Sequence, residues 1–145
     1  MNGVPLDRLI ETITPALKPR SEILEAYLFG SRARGRHDSL ADVDVAVYVD
    51  PALSRSHPFG YAADLATALM HELPGNTIDV VVLNQAPPLL YHRVLRDGIR
   101  LLSRRLQDTT TREGLALSRY CDFVPQLKKI SDAHDARIAR GHFGR

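Results

Sequence analysis

The stretch Asp42-Val43-Asp44-Val45-Ala46-Val47-Tyr48-Val49 constrains the fold more than any other, because strict alternation over eight residues is the period of a β-strand. Every second side chain is valine, so one face of that strand is wholly apolar and must be covered. Asp42 and Asp44 point the other way, with Ala46 and Tyr48. Ile78-Asp79-Val80-Val81-Val82-Leu83 lies between Gly75-Asn76 and Pro87-Pro88 and predicts a buried strand carrying one embedded acid. Ile23 to Phe29 is an apolar run that stops at Gly30-Ser31 and predicts an earlier strand, and Ile99 to Leu102 predicts a small edge strand.

Helical spacing fills the intervals. Leu6, Ile10, Ile13 and Leu17 form an apolar stripe that Pro19 terminates, and Tyr61, Leu65 and Leu69 repeat at i, i+4 and i+8. Leu89 to Arg96 predicts a short helix closed by Asp97-Gly98, and Arg32 to Leu40 a helical turn followed by a loop. Leu117, Tyr120, Val124 and Leu127 keep helical spacing, with Pro125 expected to kink that helix or start a new one. The expected architecture is α/β: a small mixed sheet with helices mainly against one face.

At 145 residues, 44% of them hydrophobic, the chain is long enough for one real core, expected over 1–104 with a helical extension over 105–145. Cys121 is the only cysteine, which excludes an intrachain disulfide or a cysteine zinc site; it is expected as a small buried hydrophobe. No leader-like start or membrane-length apolar run is present, so a soluble cytoplasmic protein is expected. A net charge of +2 is too small to indicate binding to nucleic acid, and no direct nucleic-acid partner is expected. The charge is unevenly spread: residues 1–95 hold 8 Lys+Arg against 11 Asp+Glu, and residues 96–145 hold 11 against 6. The basic tail is either a solvated helix face or a dock for an acidic patch on a partner.

Chemistry concentrates in Gly30-Ser31, ten further residues, and Asp42-Val43-Asp44. A glycine at a strand end permits a tight turn and close approach to an anion, while the following serine brings a hydroxyl and an N–H to a helix start. This is a candidate phosphate cradle. Asp42 and Asp44, about 6 to 7 Å apart on one side of the strand, suit hard cations, and Asp79 is the obvious third ligand if its strand lies alongside. Three crowded carboxylates would repel one another's charge, and Mg²⁺ is the simplest means of keeping them ionised. Two such ions could serve in-line displacement at the α-phosphate of a nucleoside triphosphate.

These residues carry a resemblance. Phe29-Gly30-Ser31-Arg32-Ala33-Arg34-Gly35, followed by Asp42-Val43-Asp44 and by Asp79 in Ile78-Asp79-Val80-Val81, resembles the minimal nucleotidyltransferases of the polymerase-β-like superfamily over most of residues 21–102. Within that superfamily, the small size and helical C-terminus are similar to the MntA-type antitoxins encoded beside HEPN ribonuclease toxins. The resemblance implies Mg²⁺-dependent transfer of AMP from ATP to a tyrosine hydroxyl of a cognate HEPN toxin, which silences it within a hetero-oligomer. It further implies that Gly30 and Ser31 hold the triphosphate, that Asp42 and Asp44 bind the metals, and that Asp79 completes the metal site and helps activate the acceptor. Ala41 stands where many relatives have serine. Two alternatives accompany this reading: a non-catalytic antitoxin that covers its toxin, and an enzyme acting on a small hydroxylated molecule such as an aminoglycoside.

Arg32, Arg34 and Arg36 could hold phosphates or stand solvated, with Arg32, next to Ser31, the first candidate for nucleotide binding. His37, His57, His71, His92, His134 and His142 lack metal spacing and are expected in surface or capping roles. Tyr48, Tyr61 and Tyr120 are expected to pack, Tyr48 on the aspartate face.

Overall fold

The computed structural model describes residues 4–34, 42–53 and 60–139. In chain order they form α1 (Leu6–Leu17), β1 (Ile23–Phe29), α2 (Gly30–Ala33), β2 (Val43–Val49), α3 (Tyr61–Glu72), β3 (Ile78–Val82), α4 (Pro88–Asp97), β4 (Ile99–Ser103) and α5 (Leu106–Ala139), with a 3₁₀ turn at Leu83–Gln85. The strands make one mixed sheet in the order β3-β2-β1-β4. β1 runs antiparallel to both β2 and β4, whereas β2 and β3 are parallel. A parallel pair needs a crossover, and α3 lies in it.

The valine face of β2 dictates the first layer. Val43, Val45, Val47 and Val49 pack with Leu9, Ile13 and Leu17 of α1 and Leu65 and Leu69 of α3, all buried. Each such side chain contributes about 1.5–3 kcal/mol on burial, so this layer supplies much of the driving force for folding. Leu9, Ile13 and Leu17 form the buried centre of the α1 stripe, with Leu6 and Ile10 half-buried at its margin. The opposite face is also covered: Tyr27 and Ala46 meet Tyr91 and Val94 of α4 and Ala116 of α5. The expectation of helices mainly against one face is therefore corrected, because the second face carries its own apolar residues.

A bulge in β1 makes that second face possible. Ile23 pairs with Val49 but Glu25 pairs with Tyr48, so one extra residue intervenes. Plain alternation would put Ile23 and Glu25 on the same face; with the bulge, Ile23 joins the valine layer and Glu25 faces α5. Fully buried Glu25 accepts from Arg112 Nε at 2.6 Å and Nη2 at 2.8 Å, and from Thr109 Oγ1 at 3.0 Å. The Ser103 hydroxyl lies 2.7 Å from Thr109 Oγ1, and the Arg112 guanidinium sits 4.8 Å from the Tyr48 ring centroid. Beside it, Tyr27 donates to Glu113 at 2.6 Å, and Arg100 Nη2 donates to the two Glu113 oxygens at 2.6 and 2.8 Å. These bonds weld the first turns of α5 to the sheet. Further along, Tyr120 stacks on His92 of α4 with ring centroids 3.6 Å apart.

Four smaller expectations change. β3 is an edge strand rather than a buried one, with Val80, Val81 and Val82 half-buried. α5 continues through Pro125 as one element, although the proline cannot donate to the carbonyl of Cys121 and its ring crowds that carbonyl; the Cys121 side chain is exposed. Cys121 is accordingly not a core residue; α4 covers a different face of α5 at that level. Tyr48 occupies the far end of β2 from Asp44, about 13 Å along the strand, and does not border the acids. Arg104 closes α1, donating to the carbonyls of Lys18 and Arg20 at 2.8 and 2.9 Å and to that of Ile23 at 2.9 Å. Among the described residues, no helix is long and apolar enough to cross a membrane.

Candidate active site

The parallel register of β2 and β3 sets Asp44 directly beside Asp79, one rung apart at a spacing of about 4.8 Å between strands. Asp42 stands immediately before β2, where the Val43 N–H donates to the Thr77 carbonyl at 2.9 Å and holds the start of β2 against β3. The three carboxylates consequently converge. Asp42 and Asp79 share a hydrogen bond, and Asp44 feels the charge of both.

Among the described residues, no cation contributes to the shifts of Asp44 and Asp79. Burial, and then repulsion from Asp79 and Asp42, push the Asp44 carboxyl up to about 6. Asp79 is also raised, first by desolvation and then by its hydrogen bond with Asp42 and the charge of that residue. As they stand, the acids turn toward one another; among the described residues, no three His, Cys, Asp or Glu side chains are arranged to hold a metal ion. The donor set itself is nonetheless all oxygen, anionic and uncompensated, which is the chemistry Mg²⁺ requires, so these residues fit the ion by charge and ligand type.

Gly30 completes the geometry. Phe29, the last residue of β1, pairs with Asp44, and the chain turns at Gly30 with φ +77° into α2. A Cβ at residue 30 would lie 2.1 Å from Asp44 Oδ2, so only glycine allows both the turn and the carboxylate. Half-buried Ser31 follows in the first turn of α2, where backbone N–H groups have no helical partner. Gly30, Ser31, Asp42, Asp44 and Asp79 are thus brought to one end of the sheet.

Arg32 does not join them. Its side chain is 1% exposed, and its Nη2 donates to the Val4 carbonyl at 2.6 Å. That bond braces the segment before α1. Arg34 is exposed and lies 4.0 Å from Asp97. Arg36, His37, Ala41, His57 and His142 lie outside the described residues.

The sequence predicts α4 but assigns it no part in the site. A cleft of about 410 Å³ opens beside Gly30, lined by Phe29, Arg34, Leu90, Arg93, Arg96 and Asp97. Arg93 and Arg96, one helical turn apart, were the available signal.

Comparisons with known proteins bear on the fold and the family. A solved toxin–antitoxin structure with AMP-PNP is similar at a TM-score of 0.71 and 25% identity, covering 86% of this chain and 96% of that one. A tri-AMPylated Shewanella oneidensis HEPN toxin in complex with MNT antitoxin gives a TM-score of 0.66 at 22% identity, over 88% and 97% of the two chains. An MntA–HepT toxin–antitoxin structure gives 0.68 at 22% identity, again over 88% and 97%. No curated protein sequence matches significantly. The family model described as polymerase beta, nucleotidyltransferase, matches residues 11–107, about two thirds of the sequence and all three acids, and the chain belongs to that nucleotidyltransferase family.

Proposed function

We propose that this protein is an antitoxin that transfers AMP from ATP to a tyrosine hydroxyl of a cognate HEPN ribonuclease toxin and thereby neutralises it. The observation that carries the reading is the convergence of Asp42, Asp44 and Asp79, with no counter-cation among the described residues, beside a glycine turn that leaves room for phosphate. The similar complexes, one with AMP-PNP and another with an AMPylated HEPN toxin, support the choice of donor and partner. A cytoplasmic setting, where ATP is available, belongs to the same reading.

Asp42, Asp44 and Asp79 would hold Mg²⁺, with two ions suiting an in-line displacement; when bound, it supplies positive charge to the α-phosphate and the leaving pyrophosphate. Gly30 and Ser31 offer backbone N–H groups and a hydroxyl to the triphosphate. The acceptor oxygen forms a bond to the α-phosphorus while the bond to the β-phosphate oxygen breaks, its electron pair leaving with pyrophosphate. Asp79, exposed at the groove, would help to activate the phenolic hydroxyl by accepting its proton.

The test is mass spectrometry of the toxin after incubation with the protein, ATP and Mg²⁺. AMP adducts on a toxin tyrosine are expected, and Asp42→Ala with Asp44→Ala should lower their formation by at least about 10³-fold, as losing a principal charge-stabilising group does. An unmodified toxin that is still neutralised by the double variant would instead establish steric masking.

A further inference from the structure

The cleft between the end of β1 and α4 is built from cations that the carboxylate cluster does not use. Arg96 is already engaged: its Nε and Nη2 donate to Asp97 at 3.0 and 2.8 Å, and that hydrogen bond holds the Asp97 carboxyl below its ordinary range. The remaining reach of Asp97 is toward Arg34, at 4.0 Å. Arg93 is exposed and, among the described residues, has no hydrogen-bond or ion-pair partner. It projects from the same helix face as Leu90 and Asp97, into a cleft whose floor is Phe29 and Gly30.

A cation without a partner on the wall of a cleft is complementary to an anion within it. Gly30 is common to the cleft and to the acidic cluster, since its missing Cβ is what admits Asp44. A triphosphate with its α-phosphate at the acids and its chain passing over Gly30 would therefore run into this cleft. Asp97 is bonded to Arg96 and reaches toward Arg34, and no bond joins it to Arg93.

We infer that Arg93 is a positioning residue that binds the β- and γ-phosphates of the nucleotide, the part that leaves as pyrophosphate. This inference rests on the nucleotidyl-transfer reading and adds to it the direction in which the triphosphate lies. Contacts to those phosphates strengthen as negative charge gathers on the leaving group, so Arg93 acts on both ground-state binding and the transfer step.

Calorimetric titration of the full chain with ATP and, separately, AMP in the presence of Mg²⁺ tests it. Arg93→Ala should weaken ATP binding by about 10-fold or more, the scale of a hydrogen bond to a charged group, and leave AMP binding unchanged. Arg93→Lys, which keeps the charge but not the fork, should fall between. Lys128→Ala removes the same charge from α5, away from the cleft, and should leave ATP binding at the wild-type value. Equal weakening of ATP and AMP, wild-type ATP affinity in Arg93→Ala, or an equal loss in Lys128→Ala each overturns the inference. Failure of the wild-type chain to bind ATP at all breaks the nucleotidyl-transfer reading instead, and the inference falls with it.

Discussion

Two groups of acids share one face of the sheet and are treated in opposite ways. Toward the α5 end, Glu25 and Glu113 are each matched by an arginine and further hydrogen bonds, so every charge is paired. At the other end, among the described residues, Asp42, Asp44 and Asp79 face each other without a cation between them. The first arrangement serves structure: a carboxylate with no solvent exposure survives there because Arg112 and Thr109 saturate it. The second costs some stability, which a bound cation would relieve. Uncompensated like charge, rather than acidity itself, marks the site.

The largest effect expected from disturbing this contrast lies at the paired end. Arg112→Ala leaves Glu25 buried without its counter-charge and should cost about 3–5 kcal/mol, read as the shift of the urea unfolding midpoint. If that cost were under about 1 kcal/mol, the two clusters would not differ in kind.

Gly30→Ala should come next. It adds about 1–2 kcal/mol of left-handed backbone strain and displaces the Asp44 carboxylate, so a lower melting temperature should accompany a loss of Mg²⁺-dependent transfer. Unchanged transfer would show that Asp44 does not need its present position.

The smallest effect concerns pH. Because the folded pKa of Asp44, about 6, exceeds its ordinary value of 3.8, protonation favours the fold. Its contribution is full below about pH 4 and is lost as pH rises through about 6. Asp44→Asn should remove this dependence and, allowing for solvent screening, stabilise the metal-free protein by about 1 kcal/mol at pH 7. Transfer activity, which needs the ionised carboxylate, should rise over the same interval, and added Mg²⁺ should move that rise to lower pH. A melting temperature in Asp44→Asn with the wild-type pH profile would show that the carboxylates do not repel.

The unpaired cluster was largely legible in the sequence and the paired one was not. Alternation fixes which way Asp44 points, and Asp79 stands out against Val80 and Val81, so local pattern suffices. The partnership of Glu25 with Arg112 spans 87 positions and depends on a bulge that reverses the facing of β1, for which Ile23-Leu24-Glu25 gives no signal. Arg32 shows the same limit: its neighbour Ser31 suggested phosphate, but the turn of α2 points it inward to Val4. The cover on the second face likewise comes from α4 and α5, distant in sequence from the strands they shield. Cys121 was misjudged because its exposure depends on where α4 covers α5.

The rung that joins Asp44 to Asp79 has a consequence for how such a protein can diversify. Because their separation is set by the hydrogen-bonded ladder, the parts of the connection outside the buried face of α3 can change in length or composition without altering the distance between the two acids. Selection can therefore remodel that connection to suit a different recipient while inheriting the chemistry intact.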